Sequence, residues 1–212
     1  MRQSQPPTTP NLSTWLRQAT SALTERIGRS LAAHKVHPDL LTLIGLGITL
    51  IAAGLLASGE FVTAAVLLVI SLPMDALDGA VARALGRTNP FGGVLDSTVD
   101  RLADMALLLS LAYYLAVTGR FGEMTLAYAA LVGSTMVSYI RARAGAADLP
   151  CAGGMFSRFE RLAVLLLMLF TGWVLPGLIV LAVGSGLTAL HRLWSVAQFA
   201  RLAQVAGNDK GA

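Results

Sequence analysis

Charge is scarce in this 212-residue chain: Asp, Glu, Lys and Arg together make up 13% of it, and apolar residues 55%. A soluble globular domain carries roughly twice that charge, so a soluble fold is excluded and an integral membrane protein is expected. Cysteine is nearly absent. Cys151 stands alone, which rules out an internal disulfide and any cysteine-based metal framework. The three histidines, His34, His37 and His191, show no metal-ligand spacing and read as interfacial or packing residues. The first ten residues, MRQSQPPTTP, lack the apolar core of a signal peptide and are expected to form a flexible N-terminus, as 205–212 form a flexible C-terminus. The first apolar run, from about Leu40 to Ala57, is long enough to cross a bilayer. Internal repeats and low-complexity linkers are missing as well, so 11–204 are expected to make a single domain.

What the chain does have is a set of apolar segments, near 39–58, 61–83, 95–118, 123–144, 159–173 and 175–196. Three connections are very short, SGE at 58–60, TGRFGE at 118–123 and TGWVLP at 171–176, and Arg120 is the single basic residue in them. The remaining Lys and Arg lie in the N-terminal segment, the 84–94 loop, the 145–158 loop, the C-terminus or the helix ends beside them. Basic residues stay on the cytoplasmic side, so both termini and the longer loops are expected to face the cytoplasm from the cell (inner) membrane. That distribution of a net charge of +4 also argues against nucleic acid as a partner. Ahead of the spans, Leu12, Trp15, Leu16, Ala19, Leu23 and Ile27 fall largely on one helical face, with Arg17, Arg26 and Arg29 elsewhere. Residues 11–34 therefore read as a juxtamembrane helix lying in the interface. Pro73 is expected to kink or loosen the second span, and Pro176 suits the first turn of the last. Pro90, with Asn89, Gly92 and Gly93, marks a loop. The expected fold class is an all-α integral membrane protein, six transmembrane helices preceded by an N-terminal amphipathic interfacial helix.

Against that apolar background, residues 75–100 read DALDGAVARALGRTNPFGGVLDSTVD. Asp75 and Asp78 stand at i,i+3, and Asp96 and Asp100 at i,i+4, spacings that put each pair on one helical face. An acid at the bilayer centre costs about 2.5–3.5 kcal/mol on insertion scales, and clustered acids repel unless cations lie between them. Two acidic pairs joined by a glycine-containing loop converge on one point and suit a two-metal site. Oxygen-only ligands favour Mg²⁺ or Mn²⁺ over zinc. Two such ions with neighbouring arginines make a receptor for a diphosphate. Gly79 and Ala82 leave room for a bulky ligand beside the acids. Arg83, four residues beyond Gly79, shares its face and is within reach of a phosphate oxygen. Asp104, one turn past Asp100, is expected to form a salt bridge with a nearby arginine.

The full spacing is D-x2-D-G-x2-A-R-x8-G-x3-D-x3-D, filled by Asp75, Asp78, Gly79, Ala82, Arg83, Gly92, Asp96 and Asp100. At every fixed position it resembles the signature of the CDP-alcohol phosphotransferases, and the six-segment layout extends the resemblance over most of the chain. The resemblance implies transfer of a phosphatidyl group from CDP-diacylglycerol to an alcohol, with release of CMP, by a homodimer. It implies that Asp75, Asp78 and Asp96 hold the metals, and that Asp100 touches the second metal and deprotonates the acceptor hydroxyl. Gly79, Ala82 and Arg83 would lie along the CDP portion. Pro38 and Thr42, in VHPDLLTLIG at 36–45, match the family's Pro-(Asn or Asp)-x-x-Thr element near the nucleotide.

The acceptor is read from a second basic region. Arg141, Arg143, Arg158 and Arg161 crowd the end of the fourth segment and the start of the fifth, a collection of cations fit to hold an anionic second substrate. SYIRARAG, SRFER and LTALHRL are similar to elements of bacterial phosphatidylinositol-phosphate synthases. On that resemblance Arg141, Arg161 and Arg192 bind the acceptor phosphate, with Arg158 beside them, and the acceptor is inositol 1-phosphate. The chain departs from the pattern with Arg141 in place of lysine, Gly145 in place of glutamate, and Ser157 in place of the first glutamate of ERxER. Glycerol 3-phosphate, which also brings a phosphate to a basic pocket, is the nearest alternative. Two other classes fit less well. An intramembrane prenyltransferase would carry two similar acidic motifs and more spans. A divalent-cation transporter would carry polar residues on toward the outer face, where these segments are almost wholly apolar.

Overall fold

A computed structural model describes residues 24–86, 90–151, 154 and 156–208, without the side chains of Asp75 and 203–208, and every regular element among them is helical. The elements are α1, described over 24–33, α2 (Pro38–Ala57), α3 (Phe61–Ala84), α4 (Pro90–Val117), α5 (Phe121–Ala146), α6 (Arg158–Thr171) and α7 (Val174–Asn208). Residues 1–23 and 209–212, and with them most of the expected juxtamembrane helix and terminal tails, lie outside the described residues.

The last six helices fall on the six apolar segments, with two displacements. The loop expected over 84–94 is shorter, because Pro90 opens α4 and Gly92 and Gly93 belong to its first turns. Proline has no amide proton to lose and a φ already suited to a helix start, so it begins the helix instead of preceding it. Likewise α7 continues well past 196, to Asn208. The helix α3 runs on through Pro73.

The three short connections share one device. Gly59, Gly119 and Gly172 each adopt a left-handed conformation, with φ of 85°, 74° and 73°. After α2, the amide of Glu60 bonds the carbonyl of Leu55 and that of Gly59 bonds Leu56. After α4, Arg120 and Gly119 repeat the pattern on Leu115 and Ala116. Helix ends closed in this way leave few carbonyls orphaned, which lets the chain reverse in a few residues.

Packing is built on α2, which lies against α3 and α4, while α5 lies against α4 and α7, and α6 against α3 and α7. The buried stripe of α2 (Leu41, Thr42, Gly45, Thr49, Ala52, Ala53 and Leu56) is rich in small residues, which admit close helix approach in a bilayer. A core centred on Leu56, Leu68, Leu111, Leu115, Leu169 and Leu178 fills the bundle toward the short turns. A smaller cluster of Leu41, Leu77 and Val81, with Leu31 and Ala32 of α1, closes the other end. Gly28 brings α1 close to α3: a Cβ there would lie 2.6 Å from that of Ala80.

Three helical stretches among the described residues, Pro38–Ala57, Phe61–Ala84 and Val174–Leu202, are long and apolar enough to cross a membrane, and only 29–39% of their most apolar windows is buried inside the bundle. The rest presents Leu43, Ile51, Val66, Ile70, Val183 and Leu190 outward, an apolar surface too large for a soluble monomer. The 14-residue α6 is the shortest of the six, about 21 Å at 1.5 Å per residue.

Where α5 meets α7, a Cβ on Gly133 would sit 2.9 Å from that of Ser185 and 3.1 Å from the backbone of Gly186, whereas one on Gly122 meets nothing within 4 Å. Gly133→Leu is therefore expected to destabilise the fold by about 1–3 kcal/mol through overpacking, with Gly122→Leu as the silent control. Thermal melts in detergent check this, and equal melting temperatures would contradict the close approach of α5 and α7.

Candidate active site

The first turn of α2 meets both acid-bearing helices. Pro38 starts it, Asp39 follows near the positive end of the helix dipole, and Thr42 comes one turn later. The buried Thr42 hydroxyl donates to Asp78 Oδ2 on α3 at 2.6 Å, with the Pro38 carbonyl at 3.3 Å as a second acceptor. Asp78 itself is only 7% exposed, so this bond fixes one carboxylate oxygen and directs the other. Asp39 pairs with His37 Nδ1 at 3.3 Å. Its other oxygen lies 3.6 Å from where a Cβ on Gly92 of α4 would stand. Gly79 and Ala82 are half-buried and Arg83 is exposed in the last turn of α3. The Arg83 guanidinium folds back over Gly79, 3.4 Å from the position of an added Cβ.

The second acidic pair stands on α4, with Asp96 and Asp100 both half-buried. Asp100 Oδ1 is 3.1 Å from Arg158 Nη1, and its Oδ2 is 3.7 Å from Arg101 Nη1. Arg101 in turn donates to the Ser97 carbonyl at 2.7 Å. A cavity of about 20 Å³ opens beside Asp100 and Arg158, walled by Gly45 and Thr49 of α2 and Ser71 of α3. The donors gathered here are all carboxylate oxygens, a set that fits a hard divalent ion. Among the described residues no three Asp, Glu, His or Cys side chains already form a cluster able to hold one, and the Asp75 side chain falls outside the description.

The basic residues arrive from α5, α6 and α7. At the start of α6, Glu160 reaches back to the Ser157 amide at 2.8 Å, half of a capping box. That box sets the helix origin and so places Arg158 and Arg161 one turn apart. Arg161 is buried, with Nη2 3.1 Å from Asp104 Oδ2 and Nη1 donating to the Phe156 carbonyl at 3.4 Å. Arg192 on α7 is 5% exposed and donates through Nη1 to the Val137 carbonyl of α5 at 2.6 Å. Gly154 packs on the same guanidinium: a Cβ there would lie 3.1 Å from both Nε and Nη2 of Arg192. Arg141 is exposed near the end of α5.

The residues singled out from the sequence thus fall into joined groups. Thr42 meets Asp78, Arg83 covers Gly79, Asp100 meets Arg158, and Arg158 shares Asp104 with Arg161, while Arg192 is held on the Val137 carbonyl and Arg141 is exposed. Sequence reasoning missed Asp39 against Gly92, and Ser134, whose hydroxyl donates to Asp104 at 3.3 Å. It also missed the exact start of α6, although Ser157-x-x-Glu160 is a legible capping signature. For Ser134 the sequence holds no signal, because its partner lies on another helix.

Comparison with known proteins bears on this arrangement. Residues 35–197 match the family model described as CDP-alcohol phosphatidyltransferase. The archaetidylinositol phosphate synthase of Pyrococcus horikoshii is 37% identical over 171 residues, 80% of this chain and 88% of that one. The phosphatidylinositol phosphate synthase of Corynebacterium glutamicum is 34% identical, covering 84% of this chain and 85% of its own. Crystal structures of the Mycobacterium tuberculosis phosphatidylinositol phosphate synthase superpose over 82% of this chain. The one with CDP-DAG bound covers 94% of that protein, with a TM-score of 0.77 at 33% identity. The one with manganese and citrate gives 0.75 at 34%, over 88% of its length. With its apolar helices the chain is a membrane protein, and by the extent of these matches it belongs to the CDP-alcohol phosphatidyltransferase family.

Proposed function

We propose that this enzyme transfers the phosphatidyl group of CDP-diacylglycerol to inositol 1-phosphate, giving phosphatidylinositol phosphate and CMP. One observation carries the reading: Arg158 contacts both Asp100, the acid best suited to take the acceptor's proton, and Asp104, whose other oxygen holds Arg161, suited to bind the acceptor's phosphate. The relatives named for inositol phosphate products support the same acceptor.

In this reading Asp75, Asp78, Asp96 and Asp100 hold two divalent ions, Mg²⁺ or Mn²⁺. When bound, these ions neutralise the diphosphate and stabilise the departing CMP. Thr42 orients Asp78, and Pro38 sets the turn that carries Thr42. Gly79 and Ala82 leave space for the nucleotide portion, and Arg83 binds a phosphate oxygen. Arg141, Arg161 and Arg192, with Arg158, grip the phosphate of the acceptor so that its hydroxyl lies beside Asp100. Asp100 takes the hydroxyl proton, the oxygen attacks the β-phosphorus in line, and the bond from that phosphorus to CMP breaks.

The same proposal sets the protein in its membrane. Residues 11–204 form one domain, a juxtamembrane helix in the interface over 11–34 followed by six spans within about 39–196, the fifth of them α6. The active site and both termini face the cytoplasm from the cell membrane, and two copies form a homodimer. The outward apolar surface and the placement of the basic residues support this arrangement.

The test supplies purified protein with CDP-diacylglycerol, Mg²⁺ and one acceptor at a time, and measures CMP. Release is expected with inositol 1-phosphate and not with inositol or serine. Silence with every acceptor would sink the transferase reading, and release with glycerol 3-phosphate alone would overturn the acceptor. A second expectation concerns Thr42→Val, which keeps the shape but removes the bond to Asp78. A hydrogen bond to a charged group contributes about 1.5–3 kcal/mol, so turnover should fall roughly ten- to a hundredfold without loss of folded protein. Unchanged turnover would remove Thr42 from the site.

A further inference from the structure

Asp104 is the acid on α4 that the family spacing leaves unassigned, yet its carboxylate is shared among three helices. Oδ2 accepts from Arg161 Nη2 at 3.1 Å and from the Ser134 hydroxyl of α5 at 3.3 Å. Oδ1 lies 3.5 Å from Arg158 Nε. Arg158 and Arg161 stand one turn apart on α6, where two guanidinium charges repel each other. Asp104 lies between them and divides its two oxygens between the two cations.

We infer that Asp104 is a positioning residue that presets Arg161, and with it Arg158, to receive the phosphate of the acceptor; the inference rests on the function proposed above. Arg161 has a side chain only 9% exposed, and a buried cation is costly unless a partner neutralises it. Asp104 provides that partner. Its bond, with the one to the Phe156 carbonyl, uses two of the five N–H donors of the guanidinium and fixes the plane of the fork. Arg158 is held back in the same way: its Nη1 contacts Asp100, and Asp104 keeps its Nε on the side of Arg161. Space for disorder exists on both sides, since cavities of about 20 and 30 Å³ flank Asp104. Each has space for about one water molecule, a competing partner for an unpinned guanidinium. A fork held in its binding orientation before the ligand arrives avoids the ordering cost on binding, so the effect of Asp104 belongs in the affinity for the acceptor.

The experiment uses full-length enzyme in detergent micelles and follows CMP release while inositol 1-phosphate and CDP-diacylglycerol are varied in turn. Asp104→Asn is expected to raise the acceptor KM about tenfold or more, the scale of a lost charge-assisted hydrogen bond. The KM for CDP-diacylglycerol should stay within about twofold, since Asp104 does not touch that site in this proposal. Asp104→Glu should recover part of the loss. Added to Arg161→Ala, Asp104→Asn should raise the acceptor KM by clearly less than it does alone, because the part of its effect carried by Arg161 is already lost and only the part carried by Arg158 remains. Ser134→Ala, which leaves both ion pairs intact, should give a smaller rise in the same direction and serves if Asp104→Asn fails to fold. An unchanged acceptor KM, a parallel rise in both KM values, or full additivity with Arg161→Ala would each overturn the inference. Wild-type enzyme active only with glycerol 3-phosphate would refute the acceptor proposed above, and the same comparison run with that acceptor would then decide the role of Asp104.

Discussion

Asp100→Asn is expected to lower CMP release by at least about a hundredfold and as much as 10⁴-fold, the range of general acid–base catalysis, while CDP-diacylglycerol still binds. The substitution is nearly isosteric, and the amide retains a carbonyl oxygen to accept from Arg158, 3.1 Å away in the native site. The bundle around it should therefore stand. What is lost is the negative charge and the ability to take a proton. Asn at this position also weakens any divalent ion shared with Asp96, which pushes the effect toward the upper end of the range. The measurements are turnover at saturating substrates and binding of radiolabelled CDP-diacylglycerol. Turnover within a fewfold of wild type would show that another group accepts the proton.

Arg161→Ala should raise the acceptor KM about a hundredfold, with kcat and the KM for CDP-diacylglycerol much less affected. Charge-assisted hydrogen bonds contribute about 1.5–3 kcal/mol each, and a phosphate takes two from one guanidinium. The deletion does not leave Asp104 as an orphaned acid, because Arg158 and Ser134 remain beside it. That makes a collapse of the fold a poor explanation for the expected loss, and a thermal melt provides the control. Arg161→Lys keeps the charge but not the planar fork and should restore only part of the affinity. A variant with both KM values unchanged would remove Arg161 from the acceptor site.

The division between what the sequence disclosed and what it withheld follows the range of the interactions. Asp75, Asp78, Asp96 and Asp100 stood out because their spacing is a property of one helix turn, readable without tertiary structure. Gly79 and Arg83 followed for the same reason, and the guanidinium does lie over the glycine. The helix segments were legible from apolar runs, and their ends moved farthest where a proline opened a helix, as at Pro90, or where polarity rose before the helix stopped, as along α7. Partners drawn from different helices were not legible. Thr42 and Asp78 are 36 residues apart, Asp104 and Arg161 57, and Arg192 and the Val137 carbonyl 55. Nothing local prescribes those meetings, which depend on how α2 packs on α3, α4 beside α6, and α5 on α7. Asp104 was expected to pair with one arginine, and packing gives it two.

The position of α2 has a consequence for the width of the proposed metal site. The acid-bearing helices α3 and α4 each pack on α2, and its first turn touches one through Thr42 and the other beside Gly92. One turn of one helix is thus the spacer that sets how far apart the two acidic arms stand. A thickening of that turn would act like a thicker shim and spread the arms. Ions whose preferred bond lengths differ by only a few tenths of an ångström, as Mg²⁺ and Ca²⁺ do, would register that change. In the function proposed above, metal preference would thereby be tied to the calibre of a helix that contributes none of the four acids.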